Sequence, residues 1–186
     1  TIRNKEPDYQ LISILAEKCR MPLCYGGGIN KISQIEKIIG LGVEKVSISN
    51  YAIENPEIFK EASEKVGSQS LVLCLDIKKT GLINKQYKIF THNGKKLRNI
   101  NISNLIAEIS SYGLGEIIIN SIDKDGTRSG YDYELINYIK DIVTCPITII
   151  GGANTLSDLS DLINSYSPIG AGAGSLFVFK GKHQAV

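Results

Sequence analysis

Pro22-Leu-Cys-Tyr-Gly-Gly-Gly-Ile-Asn30 and Pro146-Ile-Thr-Ile-Ile-Gly-Gly-Ala-Asn154 are one pattern written twice, 124 residues apart and without a gap. Each copy is a proline, a short apolar run, a glycine pair and an asparagine. The register continues past the glycines, where Ser33, Ile35 and Ile38 match Ser157, Leu159 and Leu162. We read this as a duplicated strand, glycine turn and helix. A glycine turn between a strand and a helix N-terminus is a common backbone phosphate site. Two of them suggest a substrate with a phosphate at each end.

Around the two copies, runs rich in Val and Ile recur at 21–25, 45–49, 70–76, 116–121, 146–150 and 169–173. Their near-continuous apolarity suits parallel strands buried on both faces. Segments of helical period lie between them at 33–39, 56–66, 103–112, 133–143 and 156–165, with a further helix at 7–18. Ser33-x-x-Glu36 reads as a capping box, and Asn55-Pro56 as a cap followed by proline at the first helical position. βα units in series predict a parallel sheet or barrel. Residues 86–97 differ: two short runs flank His92-Asn93-Gly94, which predicts a hairpin inserted after the third strand. Insertions at the carboxyl ends of barrel strands are where lids sit, although a plain surface hairpin fits equally.

Six strands are visible where a (β/α)8 barrel has eight, so about 60 residues are expected to be absent in front of Thr1. The fold expected is α/β: an incomplete TIM barrel in which residues 1–186 form one partial domain. An open six-stranded sheet is the competing account.

At 186 residues and 42% hydrophobic content, the chain can bury a core. Twenty-one basic against 19 acidic residues leave a net charge of +2 with no long run of either sign, which points away from nucleic-acid and membrane surfaces. A cytoplasmic protein is expected from the absence of a long apolar run and of a signal-peptide pattern. Cys19, Cys24, Cys74 and Cys145 lack CxxC spacing, and the last three lie in or beside apolar runs, so buried reduced thiols are expected. With only His92 and His183, far apart, a histidine metal site or triad is not expected, nor is a cofactor.

Asp76 closes the run Leu71-Val-Leu-Cys-Leu-Asp76, which puts a carboxylate at the carboxyl end of a buried strand, a place suited to acid or base work. A helix cap, or a strand end paired with the lysines Lys78 and Lys79 that follow, is the competing reading. Asn120 to Asp132 follows another strand with two glycines and three carboxylates. Its Asp123-Lys-Asp125-Gly126 start is calcium-like, but Thr127 and Arg128 break the ligand pattern, so a substrate-binding loop is expected. Ser49-Asn50 and Gly172-Ala-Gly174-Ser175 end the strands that follow the two glycine turns, in the place of barrel phosphate loops. Lys45 and Glu116 begin their strands, where a surface ion pair would contribute under about 1 kcal/mol.

In order, Tyr25-Gly-Gly-Gly-Ile29, Lys45-Val-Ser-Ile-Ser49, Glu54-Asn-Pro56, Gly67-Ser-Gln69, Leu75-Asp-Ile-Lys78, Ser121-Ile-Asp-Lys-Asp-Gly-Thr127 and Gly130-Tyr-Asp132 closely resemble the cyclase subunit of imidazole glycerol phosphate synthase. That family is a (β/α)8 barrel. It combines ammonia from a glutaminase partner with a bis-phosphorylated formimino aminoimidazole ribonucleotide. The products are imidazole glycerol phosphate and an aminoimidazole carboxamide ribotide. The resemblance implies that Asp76 is one of two catalytic aspartates, and that phosphates sit at Gly27 and Gly28 with Asn50, and at Gly151 and Gly152 with Gly174 and Ser175. It also implies that Asn93, Asn120 and Asp125 contact substrate and that Lys45 and Glu116 gate ammonia at the amino-terminal face, where the glutaminase docks. Ile150 replaces a serine of the family, Asn154 a small residue and Asn50 a threonine. The closing 174–183 resembles paralogues that pass ammonia to a nucleotide sugar in acetamidino-sugar formation. The sister sugar isomerase, which uses no ammonia, and an inert partner-docking fragment are the alternatives.

Overall fold

The computed structural model describes residues 6–178. Helix α1 (Tyr9–Lys18) precedes β1 (Cys24–Gly26), α2 (Ile32–Gly40) and β2 (Lys45–Ile48). Two helices, α3 (Asn50–Glu54) and α4 (Ile58–Val66), lead to β3 (Leu71–Thr80). The hairpin β4 (Gln86–Thr91) and β5 (Lys96–Arg98) is followed by α5 (Ile102–Gly113) and β6 (Glu116–Ser121). The chain continues through α6 (Tyr133–Lys140), β7 (Ile147–Ile150), α7 (Leu156–Tyr166), β8 (Gly170–Ala171) and α8 (Ser175–Val178). The strand order is β1-β2-β3-β6-β7-β8, and the hairpin lies off that path. β1 with β2, β2 with β3, β6 with β7 and β7 with β8 are parallel. Strands taken in chain order and separated by helices are the α/β succession of a TIM barrel, here incomplete.

The residues divide into two compact units. The first holds the chain up to Cys74 together with Ser103–Glu116; the second holds Leu75–Ile102 and the chain from Ile117 onward. In the first unit Ile35, Ile38, Val46, Ile48, Phe59, Leu73 and Ile109 are buried. In the second Leu75, Ile77, Ile89, Ile119, Leu135, Ile139 and Leu162 are buried. At roughly 2 kcal/mol per large apolar side chain, these are the main favourable terms in each unit. No helix among the described residues is long and apolar enough to cross a membrane.

Several sequence expectations change. Burial alternates along β2 and β6: Val46, Ile48, Ile117, Ile119 and Ser121 are buried, while Ser47, Ile118 and Asn120 are half-exposed. These strands are therefore covered fully on one face only. Ser33 and Glu36 do not form a capping box. Both are exposed, and the Gln34 carboxamide oxygen instead accepts from Asn30 N and Lys31 N at 2.9 and 3.1 Å. Asn55 does not open a helix but closes α3, its side chain donating to Tyr51 O, and α4 starts only at Ile58. Cys24 is exposed and Cys74 and Cys145 are half-buried, so none of the three thiols is fully buried.

The hairpin forms at the expected turn, with His92, Asn93 and Gly94 all at positive φ (56°, 58° and 75°). β3 also runs four residues beyond Asp76, so that Asp76 pairs with Phe90 and Thr80 with Gln86. The insertion is thus a three-stranded antiparallel extension of a barrel strand.

Candidate functional site

The 124-residue repeat is present in the backbone as well as in the letters. Gly27 and Gly28 have φ of 112° and 74°, and their counterparts Gly151 and Gly152 have 99° and 102°. These left-handed values are open to glycine at little cost and to L side chains only under strain. The turn is closed the same way in both copies. Gln34 accepts from the N–H groups of residues 30 and 31, and Asp158 accepts from those of Asn154 and Thr155 at 2.8 Å each. Those two backbone bonds hold the Asp158 carboxyl below the usual carboxylate value. The copies part company at the next strand. Cys24 pairs with Lys45 but Thr148 with Gly170, spacings of 21 and 22 residues, so one residue has been inserted before β8. Asn50, which opens α3, therefore corresponds to Ser175, which opens α8.

In the second unit several of the predicted chemical residues converge. Asp76 near the middle of β3 and Asn120 near the end of β6 are joined by a bond from Asn120 Nδ2 to Asp76 Oδ1 of 2.8 Å. Ser121 carries the next layer: its carbonyl accepts from Lys124 N and Asp125 N. A Cβ placed on Gly151 would lie 2.7 Å from that same carbonyl, and one on Gly152 would lie 2.1 Å from Gly130 O. The second glycine turn is therefore seated directly on the 121–130 loop, and Gly130 N donates to Gly152 O to hold it there. The hairpin turn reaches the same loop, since a Cβ on Gly94 would touch the Ile122 side chain. Asp76, Asn93, Asn120, Asp125, Gly151 and Gly152 thus share one neighbourhood, with Asp125 and Asn93 exposed. Gly174 sits in the open, and its carbonyl accepts from Phe177 and Val178 N at the start of α8.

In the first unit Lys45 Nζ and Glu116 Oε2 are 2.5 Å apart, with side chains 39% and 16% exposed. The pair spans the starts of β2 and β6. Asn50 follows β2 at the other end of that strand. A recess lined by Asn30, Lys31, Tyr51, Asn55, Glu57 and Glu61 lies beside the first glycine turn. Its two carboxylates make it unsuited to an anion, so we do not regard it as the phosphate position.

Sequence reasoning missed three contacts. Arg128, at φ 55°, donates from Nε to Asn154 Oδ1 at 2.8 Å, which ties the unusual asparagine to the 121–130 loop. Tyr131 is buried and its hydroxyl donates to Gly172 O at 2.9 Å. Asp132 caps α6 through Leu135 N. Only the last had a readable signal, an aspartate ahead of an apolar periodic run.

Glycine turns, a strand carboxylate bonded to Asn120 and a loop packed against the second turn, all carried on βα units in series, are the layout of a (β/α)8-type barrel. The chain belongs to the histidine biosynthesis protein family, whose model matches residues 1–184. It is 48% identical over 97% of its length, and 69% of the relative's, to a Vibrio vulnificus protein provisionally named imidazole glycerol phosphate synthase subunit HisF3. A Leptospira borgpetersenii protein provisionally named subunit HisF of that synthase is 47% identical over 99% of this chain and 72% of its own. A Pseudomonas aeruginosa protein provisionally named subunit HisF2 is 41% identical over 98% and 72%.

Proposed function

We propose that residues 1–186, as one partial (β/α)8 domain, form the cyclase subunit of an imidazole glycerol phosphate synthase. The reaction joins ammonia to a bis-phosphorylated formimino aminoimidazole ribonucleotide. It yields imidazole glycerol phosphate and an aminoimidazole carboxamide ribotide. The observation that carries this reading is the Asn120–Asp76 bond, which sets the carboxylate beside the loop that supports the second glycine turn. With Oδ1 engaged by Asn120, the Asp76 Oδ2 oxygen is oriented to exchange protons with substrate during ammonia addition, cleavage and ring closure. Backbone N–H groups at Gly27, Gly28 and Asn50 hold one phosphate, and those at Gly151, Gly152, Gly174 and Ser175 the other. Asn93, Asn120 and Asp125 contact the middle of the substrate. The Lys45–Glu116 pair lies where ammonia from a glutaminase subunit enters, at the starts of the strands.

The test is turnover with the glutaminase partner and, separately, with ammonium salt. Asp76→Asn is expected to lower the rate by about 10²–10⁴-fold in both arms. An unchanged rate would remove Asp76 from the chemistry.

A second reading passes ammonia to a different acceptor, as in acetamidino-sugar formation. It is favoured by Ile150, whose Cγ2 would lie 2.3 Å from a Cβ on Gly172, so that an apolar side chain packs against the residues after β8 where the family carries a hydroxyl. Product analysis with each acceptor separates the two.

A further inference from the structure

Beyond the residues assigned above, Tyr87 of β4 stands out because its hydroxyl reaches out of the hairpin. It donates to Asp132 Oδ1 at 3.2 Å. Asp132 Oδ2 accepts from the Ser121 hydroxyl at 3.2 Å, and Oδ1 also accepts from Leu135 N at 3.0 Å. Ser121 is buried, follows Asn120 directly, and its carbonyl accepts the N–H of Asp125 and abuts Gly151. One carboxylate thus joins the inserted hairpin, the start of α6 and the strand end that carries Asn120. The Tyr87 ring is itself fixed, 5.5 Å from the Tyr138 ring and under Lys79 Nζ at 5.5 Å. Lys79, its cross-strand partner, is held in turn by Asp123 through its N–H and by Glu134 through its ammonium. Desolvation, with the charge of Asp132 next, raises the Tyr87 pKa, so the hydroxyl keeps its proton and remains a donor.

We propose that Tyr87 is a positioning residue: through Asp132 and Ser121 it locks the hairpin to the Asn120–Asp125 segment, so that hairpin and the Asp76–Asn120 pair hold one shared geometry. The catalytic consequence rests on the function proposed above. The mechanical linkage does not. At 3.2 Å the Tyr87–Asp132 bond is a long one, and its loss is felt most where a reacting group needs placement rather than binding.

Tyr87→Phe isolates the hydroxyl because both ring contacts can persist. Amide hydrogen exchange is expected to quicken by about tenfold in residues 86–98 and also in 120–126, with the rest of the chain unchanged. Turnover is expected to lose about tenfold in kcat with KM within twofold, the mark of misplacement rather than weakened binding. Asp132→Asn keeps an acceptor for Tyr87 and should retain most of the rate, whereas Asp132→Ala should match or exceed the Tyr87→Phe loss. Faster exchange confined to the hairpin would overturn the linkage, and a wild-type kcat in Tyr87→Phe would overturn its catalytic consequence. If the unsubstituted protein forms no imidazole product, the functional reading falls and the exchange pattern still decides whether the linkage exists.

Discussion

The two glycine turns have the same backbone and different surroundings. At the first, the closing acceptor is a neutral carboxamide, Gln34, whose own Nε2 donates to Glu6. At the second it is a carboxylate, Asp158, and the turn is additionally bound by Gly130 N and by Arg128 through Asn154. The first turn is thus tied to residues near its own helix, while the second is tied to the loop beside Asp76. Duplication preserved the phosphate-type turn, and divergence occurred in what touches it.

That contrast can be broken most severely at Gly152. Gly152→Ala imposes a side chain at φ 102° with a Cβ 2.1 Å from Gly130 O. We expect a loss on the order of 3 kcal/mol in chemical denaturation, together with loosening of the 121–130 loop. A near-neutral result would show that the second turn is not seated on that loop. Next in size is Asn154→Ala, which leaves the half-buried Arg128 Nε without its acceptor and should cost about 1 kcal/mol. The matching change in the first copy, Asn30→Ala, alters an exposed side chain and should fall within about 0.5 kcal/mol. Equal effects at the two sites would erase the distinction.

The smallest effect concerns pH. The Asp158 pKa is depressed in the folded state, so its stabilisation is complete above the ordinary value of 3.8 and is lost as the pH falls through the depressed one. Asp158→Asn, which keeps an acceptor oxygen, should flatten the acid limb of a stability–pH curve below about pH 4 by under about 1 kcal/mol. An unaltered acid limb would mean that the Asp158 charge plays no part in closing the turn. Gln34 has no proton to gain; the titrating group at the first turn is Glu6 behind it, whose carboxyl the Gln34 amide holds below its usual value.

Much of this was legible in the chain. The βα succession, the hairpin at Asn93-Gly94 and the glycine turns could be read because each depends on local pattern: apolar period, turn residues with positive φ, and a repeat at constant spacing. The helix starts were less legible. At Ser33 the acceptor is the neighbouring Gln34, and Asn55 closes α3 while α4 begins at Ile58 without a side-chain cap, choices that only the backbone path made. Thr155-x-x-Asp158 carried the same kind of signal and is a real reciprocal cap.

The sequence by itself determined the order of elements, the duplicated turn and the candidate carboxylate, since these follow from residue types within a few positions of one another. Only the tertiary structure decided that Asn120 meets Asp76 across 44 residues, that Asp132 collects Tyr87 and Ser121, and that Arg128 reaches Asn154. Hydrogen bonds between side chains distant in sequence have no periodicity to betray them. They exist because adjacent parallel strands bring their carboxyl ends together, and the loops leaving those ends must satisfy their polar groups on whatever lies beside them.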